Sequence, residues 1–263
     1  MKVAVLGCAT GLYRSLRAAG IEVIALARDE QETRQFEKAG VATVPAMVDY
    51  FEVIEHPRSY VLDIELGQAV DNCIDSTYVH MEPGDIVLDP SGSYWCDTMR
   101  RYRRMRHRSI FYIDIAWIER HGRSRLLVSG DDRAVERAGP ILERWAGDGG
   151  FVHVGGAGLA HFILMIEEAA ANAEVQARSE AAQMLEAWPS VSDETAVKDL
   201  FPLMERRWTG RAAWQLDDAV HLEAATPLLA QAMMLNLTEA LDDHASAPPA
   251  PRVGGFQHPE EIL

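Results

Sequence analysis

The chain has 263 residues, with 25 Lys and Arg against 40 Asp and Glu, a formal net charge of −15. This acidic balance argues against a protein whose main task is to grip a phosphate backbone, so nucleic acid is excluded as a principal partner. With 48% hydrophobic and 25% charged residues, the chain has the composition of an ordinary globule, long enough for one α/β domain and a smaller companion.

Along the chain, short β-rich runs alternate with helix-like stretches up to about residue 155, the pattern of βαβ units on a mainly parallel sheet. Strands are expected at Lys2 to Leu6, Glu22 to Ala27, Ser59 to Leu62, Asp85 to Leu88, Ser109 to Ile113, Arg125 to Ser129 and Phe151 to Val154, with a weaker one at Val41 to Val44. Helical periodicity marks Glu30 to Ala39 and Asp132 to Trp145. From Leu159 onward the strong helix formers Ala, Glu, Leu, Met and Gln take over, and the second part is expected to be all helical. Its first helix should run to about Trp188, with Ser192 or Asp193 capping the next and a further one from Pro227 to Leu241. Ala245 to Pro251 reads as a stiff linker leading to the last dozen residues.

The three cysteines, Cys8, Cys73 and Cys96, form no CxxC pair, which disfavours a disulfide framework or thiolate zinc site and suggests a reducing cytoplasm. His153, His161 and Glu167 make no credible metal triad, so no metal is expected. The apolar start stops at Gly7 without a signal-peptide core. The most apolar stretch, residues 163 to 187, carries Glu167, Glu168, Glu174, Arg178 and Glu180, so no membrane span is expected.

The first strand runs into Gly7-Cys8-Ala9-Thr10-Gly11-Leu12 and then a helix, the place where a dinucleotide fold sets its pyrophosphate. Gly7, Ala9 and Gly11 are the candidate contacts, although a full GxGxxG would have glycines where Ala9 and Leu12 stand. The alternative is a glycine turn at the end of the first strand of any α/β fold. After the second strand comes Ala27-Arg28 rather than the acidic residue that suits NAD, so Arg28 favours the 2′-phosphate of NADP. Its alternative is a surface arginine paired with Asp29 or Glu30.

Four later segments carry a family resemblance. Gly84 to Tyr94 with Asp97-Thr98-Met99-Arg100-Arg101 resembles the "GDIIIDGGNSYYxDTxRR" segment of 6-phosphogluconate dehydrogenases, and Val154 to Glu168 resembles their "VGxxGAGHFVKMVHNGIE". Arg207-Trp208-Thr209 with Thr226 to Leu229, and Arg252 to His258, are similar to the family's "RWT…GVPVPVI" and "RxxFGGH" stretches. The resemblance implies a Rossmann-type doubly wound domain over residues 1–155. A smaller all-helical domain over 156–263 would follow, with an extended tail at 245–263. It further implies a small-molecule substrate, a homodimer, and a tail whose Arg252 and His258 bind substrate; the alternative for the tail is a disordered end.

The residues that carry the family's reaction differ here. Its catalytic lysine and glutamate are replaced by Leu164 and Ala171, the "GGNS" asparagine by Gly92, and the "HN" pair by Glu167-Glu168. Leucine cannot take a proton and alanine cannot give one, so ordinary oxidative decarboxylation is rejected. Asp114 to Glu119 stands where the family has its substrate loop, without the "SGG". Asp63-Ile64-Glu65-Leu66-Gly67 puts two carboxylates where the family's "MVPAG" meets the cofactor, with Gly67 the matching contact.

The expected activity is therefore an NADP-dependent oxidoreductase acting on a small carbonyl, hydroxy acid or imine. Glu168 and Ser93 are the candidate catalytic residues, Glu168 as an acid if desolvated. The alternative for Glu168 is an exposed helix glutamate, and for the whole protein a non-redox member of the fold, either a pseudoenzyme that binds a ligand or partner or an enzyme recruited to other chemistry in the same cleft. Leu12 or Glu65 filling the phosphate space would favour that alternative. His161 reads as a buried, hydrogen-bonded histidine. The run Arg100 to Arg108 reads as a solvated helix face paired with acids, and Trp208, Trp214, Met233 and Met234 as core.

Overall fold

The computed structural model describes residues 1–120, 123–186, 214–221, 226–232 and 252–257. Eight strands form one sheet: β1 (Lys2–Leu6), β2 (Glu22–Leu26), β3 (Ala42–Val44), β4 (Ser59–Leu62), β5 (Ile86–Asp89), β6 (Phe111–Arg120), β7 (Arg123–Ser129) and β8 (Phe151–Gly155). Their order is β3-β2-β1-β4-β5-β6-β7-β8. All neighbours pair parallel except β6 and β7. Six parallel strands in the order 3-2-1-4-5-6 are the Rossmann arrangement. The direction of build-up reverses between β1 and β4, and the carboxyl ends of these two strands frame the crevice where such sheets bind ligands.

The helices are α1 (Tyr13–Ala18), α2 (Glu30–Lys38), α3 (Tyr50–Val53), α4 (Gln68–Thr77), α5 (Trp95–Arg106), α6 (Asp132–Ala146), α7 (Leu159–Glu186) and α8 (Trp214–His221). Successive side chains of a strand point to opposite faces. Accordingly Val3 and Val5 enter one apolar cluster with Leu16, Phe36, Leu142 and Trp145. Ala4 and Leu6 enter another with Tyr50, Val70, Ile74 and Met105. Covering both faces makes the central strands apolar without interruption, which is why their runs are visible in the sequence.

The expected strands recur within one or two residues, except at the sixth. Instead of ending at Ile113, β6 continues to Arg120, and Asp114 to Arg120 pairs antiparallel with Arg123 to Ser129. The segment matched to the family's substrate loop is therefore strand. Its residues, Ile115, Trp117 and Ile118 among them, are β-branched or aromatic and suit a pleated ladder.

Among the described residues, Met1–Leu164 and 252–257 belong to one compact unit and those from Met165 to 232 to a second. Everything described beyond β8 with regular structure is helical: α7, α8 and residues 227–232. Ser192, Asp193, Arg207, Trp208, Met233, Met234, the 245–251 linker and His258 lie outside the described residues. Trp214 is buried, as a core residue should be.

Candidate functional site

The turn after β1 is a close approach of two loops. Gly7 has φ +90°, and a Cβ there would collide with Ile64 and stand 2.6 Å from the Asp63 carbonyl oxygen, so only glycine fits. At Gly11, φ is +73° and a Cβ would meet only Arg14 Nε, at 3.9 Å, leaving that side of the loop open. The Ala9 N–H donates to the Asp63 carbonyl at 2.9 Å. The Thr10 N–H and hydroxyl both donate to Asp63 Oδ1, at 2.8 and 2.6 Å. Asp63 is 1% exposed, and its Oδ2 is buried with no hydrogen-bond partner among the described residues. Leaving one carboxylate oxygen unpaired costs about 1–3 kcal/mol, so this arrangement is only half satisfied. Glu65 is exposed and Leu12 packs toward the core, so neither fills the loop. Asp63 takes donors that an anion would use.

Gly7 and Gly11 thus keep the turn after β1 free of side chains, as a dinucleotide's pyrophosphate would require. Among the described residues the N–H groups of Gly11 and Leu12 make no hydrogen bond, while the Ala9 and Thr10 donors are committed to Asp63. Helix α1, only six residues long and without a side-chain cap, adds little dipole to the loop.

At the tip of β2, Arg28 pairs with neither Asp29 nor Glu30. Its Nε lies 3.0 Å from Glu32 Oε1, its Nη2 bonds the same oxygen, and its backbone N–H donates to Glu32 Oε2 at 2.8 Å. Asp29 instead caps α2 through the Glu32 N–H, and Glu30 pairs with Arg34. Burial alone would raise the Glu32 carboxyl, but the Arg28 hydrogen bonds outweigh it and hold it below its ordinary value. The Arg28 side chain is 64% exposed and so remains accessible to a ligand. Cys8 Sγ lies 3.9 Å from Glu32 Oε1, and burial with the Glu32 charge pushes its thiol up.

Among its arginines, the basic run departs from the expected solvated face at Arg101. Arg100 and Arg104 do pair with Asp71 and Asp75 of α4. Arg101, however, is 1% exposed: its Nη2 donates to Asp71 Oδ2 at 2.8 Å and to the Gly67 carbonyl at 3.1 Å, and its Nη1 donates to Ser93 Oγ at 2.8 Å. One buried guanidinium therefore ties the loop after β4 to the loop after β5. Burial would raise the Asp71 carboxyl, but Arg101 and Arg100 more than offset it and hold it below its ordinary value. Ser93 is itself buried and shares a 2.7 Å hydrogen bond with Ser91. Gly92, at the position of the family's asparagine, has φ +63°, the left-handed conformation that asparagine tolerates best after glycine.

The entry to α7 is held by Asp114 at the turn-over point of β6. Its Oδ1 accepts from the Gly158 N–H at 2.7 Å and its Oδ2 from the His161 N–H at 3.1 Å. Burial pushes this carboxyl above its ordinary value. His161 is buried, as expected: Nε2 donates to the Asp89 carbonyl at 3.1 Å, and Nδ1 shares a 2.8 Å hydrogen bond with the Thr98 hydroxyl. Glu167, Glu168 and Leu164 are half-buried on α7, and Ala171 is exposed. In the tail, Arg252 lies over the Tyr94 ring at 5.1 Å. The Val253 and Gly254 N–H groups donate to buried Asp97 at 2.7 and 2.8 Å. Among the described residues no group of three His, Cys, Asp or Glu is placed to hold a metal ion, and no helix is long and apolar enough to cross a membrane.

A nucleotide-binding Rossmann domain with a glycine cradle at the β1–β4 switch point is the class this geometry defines. Residues 2–155 match the family model described as the NAD binding domain of 6-phosphogluconate dehydrogenase, and the chain belongs to that family. A decarboxylating 6-phosphogluconate dehydrogenase of Bacillus licheniformis is 31% identical over 156 residues, covering 55% of this chain and 33% of that protein. The chain thus matches about a third of that relative's length. Among solved structures, Mycobacterium tuberculosis 3-hydroxyisobutyrate dehydrogenase with L-serine has a TM-score of 0.70 at 17% identity, covering 95% of this chain and 96% of that one. Plasmodium falciparum 6-phosphogluconate dehydrogenase, in apo, NADP+ and 6-phosphogluconate forms, has a TM-score of 0.69 at 14% identity, covering 99% and 68%. At these identities the structures attest the fold.

The sequence names Asp63, Asp97, Arg101 and Asp114 within longer segments, but their buried pairings emerge only in the structure. A signal existed for each. All are charged residues inside otherwise apolar or motif segments, where a charge is buried only if paired.

Proposed function

We propose that the protein is an NADP-dependent oxidoreductase that reduces or oxidises a small carbonyl, hydroxy acid or imine rather than decarboxylating 6-phosphogluconate. The observation that carries this reading is the glycine cradle at the β1–β4 switch point, in a domain whose family binds NAD. Gly7, Ala9, Gly11 and Gly67 would hold the dinucleotide, and the exposed guanidinium of Arg28 would meet a 2′-phosphate. The nicotinamide, when bound, supplies hydride chemistry, which does not require the family's missing lysine and glutamate.

Glu168 is assigned the proton-donor role, with Ser93 anchored by Arg101 as the second polar group and Arg252 and His258 contacting substrate. The last two roles rest on the family's tail pattern. A homodimer in the cytoplasm completes the reading. The non-redox alternative is favoured by one observation, the Asp63 carboxylate on the Thr10 donors.

Calorimetric titration with NADPH and NADH separates the two. Micromolar NADPH binding that weakens at least tenfold in Arg28→Ala, with NADH weaker in the wild type, supports the oxidoreductase. A substrate screen with Glu168→Gln as control then follows. No binding of either nucleotide at millimolar concentration sinks it.

A further inference from the structure

We propose that Asp63 is an internal anion that competes with the cofactor's pyrophosphate for the glycine loop, and so sets nucleotide affinity. The proposal deepens the nucleotide-binding reading. Three observations meet at this residue. First, Asp63 Oδ1 takes both the N–H and the hydroxyl of Thr10, at 2.8 and 2.6 Å, in the loop that follows β1 beside the end of β4. Second, Oδ2 is buried and unpartnered among the described residues, so the carboxylate is held in the loop without being fully satisfied there. Third, a Cβ at Gly11 would meet nothing nearer than Arg14 Nε, at 3.9 Å, so the loop is open there to an anion.

The electrostatics follow from position. A carboxylate and a pyrophosphate cannot share the Thr10 donors, and like charges held close repel strongly where water is sparse. The cofactor binds by displacing Asp63 from Thr10, and the affinity it shows is net of that exchange. Arg28 does not neutralise Asp63, because its guanidinium is engaged with Glu32. Asp63 therefore weakens every ligand that presents a phosphate to this loop, whatever its base or sugar.

The test uses the full chain and inorganic pyrophosphate without divalent metal, followed by NADPH, on wild type, Asp63→Ala and Asp63→Asn. Melting curves confirm that each variant folds; Asp63→Asn, closest in shape, serves if the alanine variant does not. Removing the competing charge should tighten pyrophosphate binding about tenfold or more, the value of freeing one charge-assisted donor. Pyrophosphate affinity unchanged or weakened in the folded variants overturns the proposal and makes Asp63 a support of the loop. The NADPH arm separates this from the function itself. Variants that gain pyrophosphate but never bind NADPH uphold the competition and reject the oxidoreductase. A wild type that binds NADPH, with variants no tighter for either ligand, does the reverse.

Discussion

Asp63 and Asp114 both present a buried carboxylate to backbone N–H groups where a strand end gives way to a helix, yet the two are bonded differently. Asp114 spends one oxygen on Gly158 and the other on His161. Asp63 spends one oxygen on Thr10 and leaves the other without a partner among the described residues. A carboxylate satisfied at both oxygens behaves as a structural part. One satisfied at a single oxygen gains little by staying, and a ligand can replace it. The same motif, glycine turn plus aspartate, thus builds the α7 entry in one place and leaves the nucleotide loop exchangeable in the other.

The largest expected effect comes from the buried cation that joins the loops after β4 and β5. Arg101→Ala should destabilise the protein by about 3 kcal/mol, because it removes a buried cation and its donors to Gly67 and Ser93 and leaves the buried Asp71 with only the half-exposed Arg100. Denaturant midpoints measure it, and a loss under about 1 kcal/mol would show that the loops are held by other means.

Next in size, Asp114→Ala should cost about 1–3 kcal/mol, whereas Asp63→Ala should cost well under that, since it also removes an unsatisfied buried oxygen. Equal losses in the two variants would erase the distinction drawn between them.

Much of this frame is legible in the sequence, and the reasons are physical. β1, β2 and β4 read as strands because burial on both faces demands apolar runs such as Val3 to Leu6 and Tyr60 to Leu62. The cradle is legible because Gly7 occupies a conformation and a contact distance that admit no side chain. What escapes is what depends on tertiary pairing. Arg101 is one arginine in a run of them, and only the packing of α5 against α4 distinguishes it from Arg100 and Arg104. The extension of β6 through Trp117 escapes because it depends on pairing with β7, which supplies the ladder.

Two smaller effects sharpen the comparison between tightly and loosely held charges. The Asp71 carboxyl sits below its ordinary value in the folded protein. Its contribution is therefore complete above about pH 4, the ordinary carboxylate range, and is lost as pH falls through the folded value. The stability gap between wild type and Asp71→Asn should shrink on acidification below about pH 4, and a gap that widens there contradicts the pairing. Smallest of all, Arg28→Ala should cost about 1 kcal/mol or less, since the guanidinium is 64% exposed although its i,i+4 partner Glu32 is largely buried. A larger loss would mean that Arg28 is a structural residue rather than one available to a ligand.

The most direct test of the nucleotide site is hydrogen exchange of the whole chain with and without saturating NADPH. The account predicts slowed exchange in two segments, Gly7 to Tyr13 and Asp63 to Gly67, which meet at the β1–β4 switch point. Unchanged exchange in both segments, or protection confined to other parts of the chain, would contradict it.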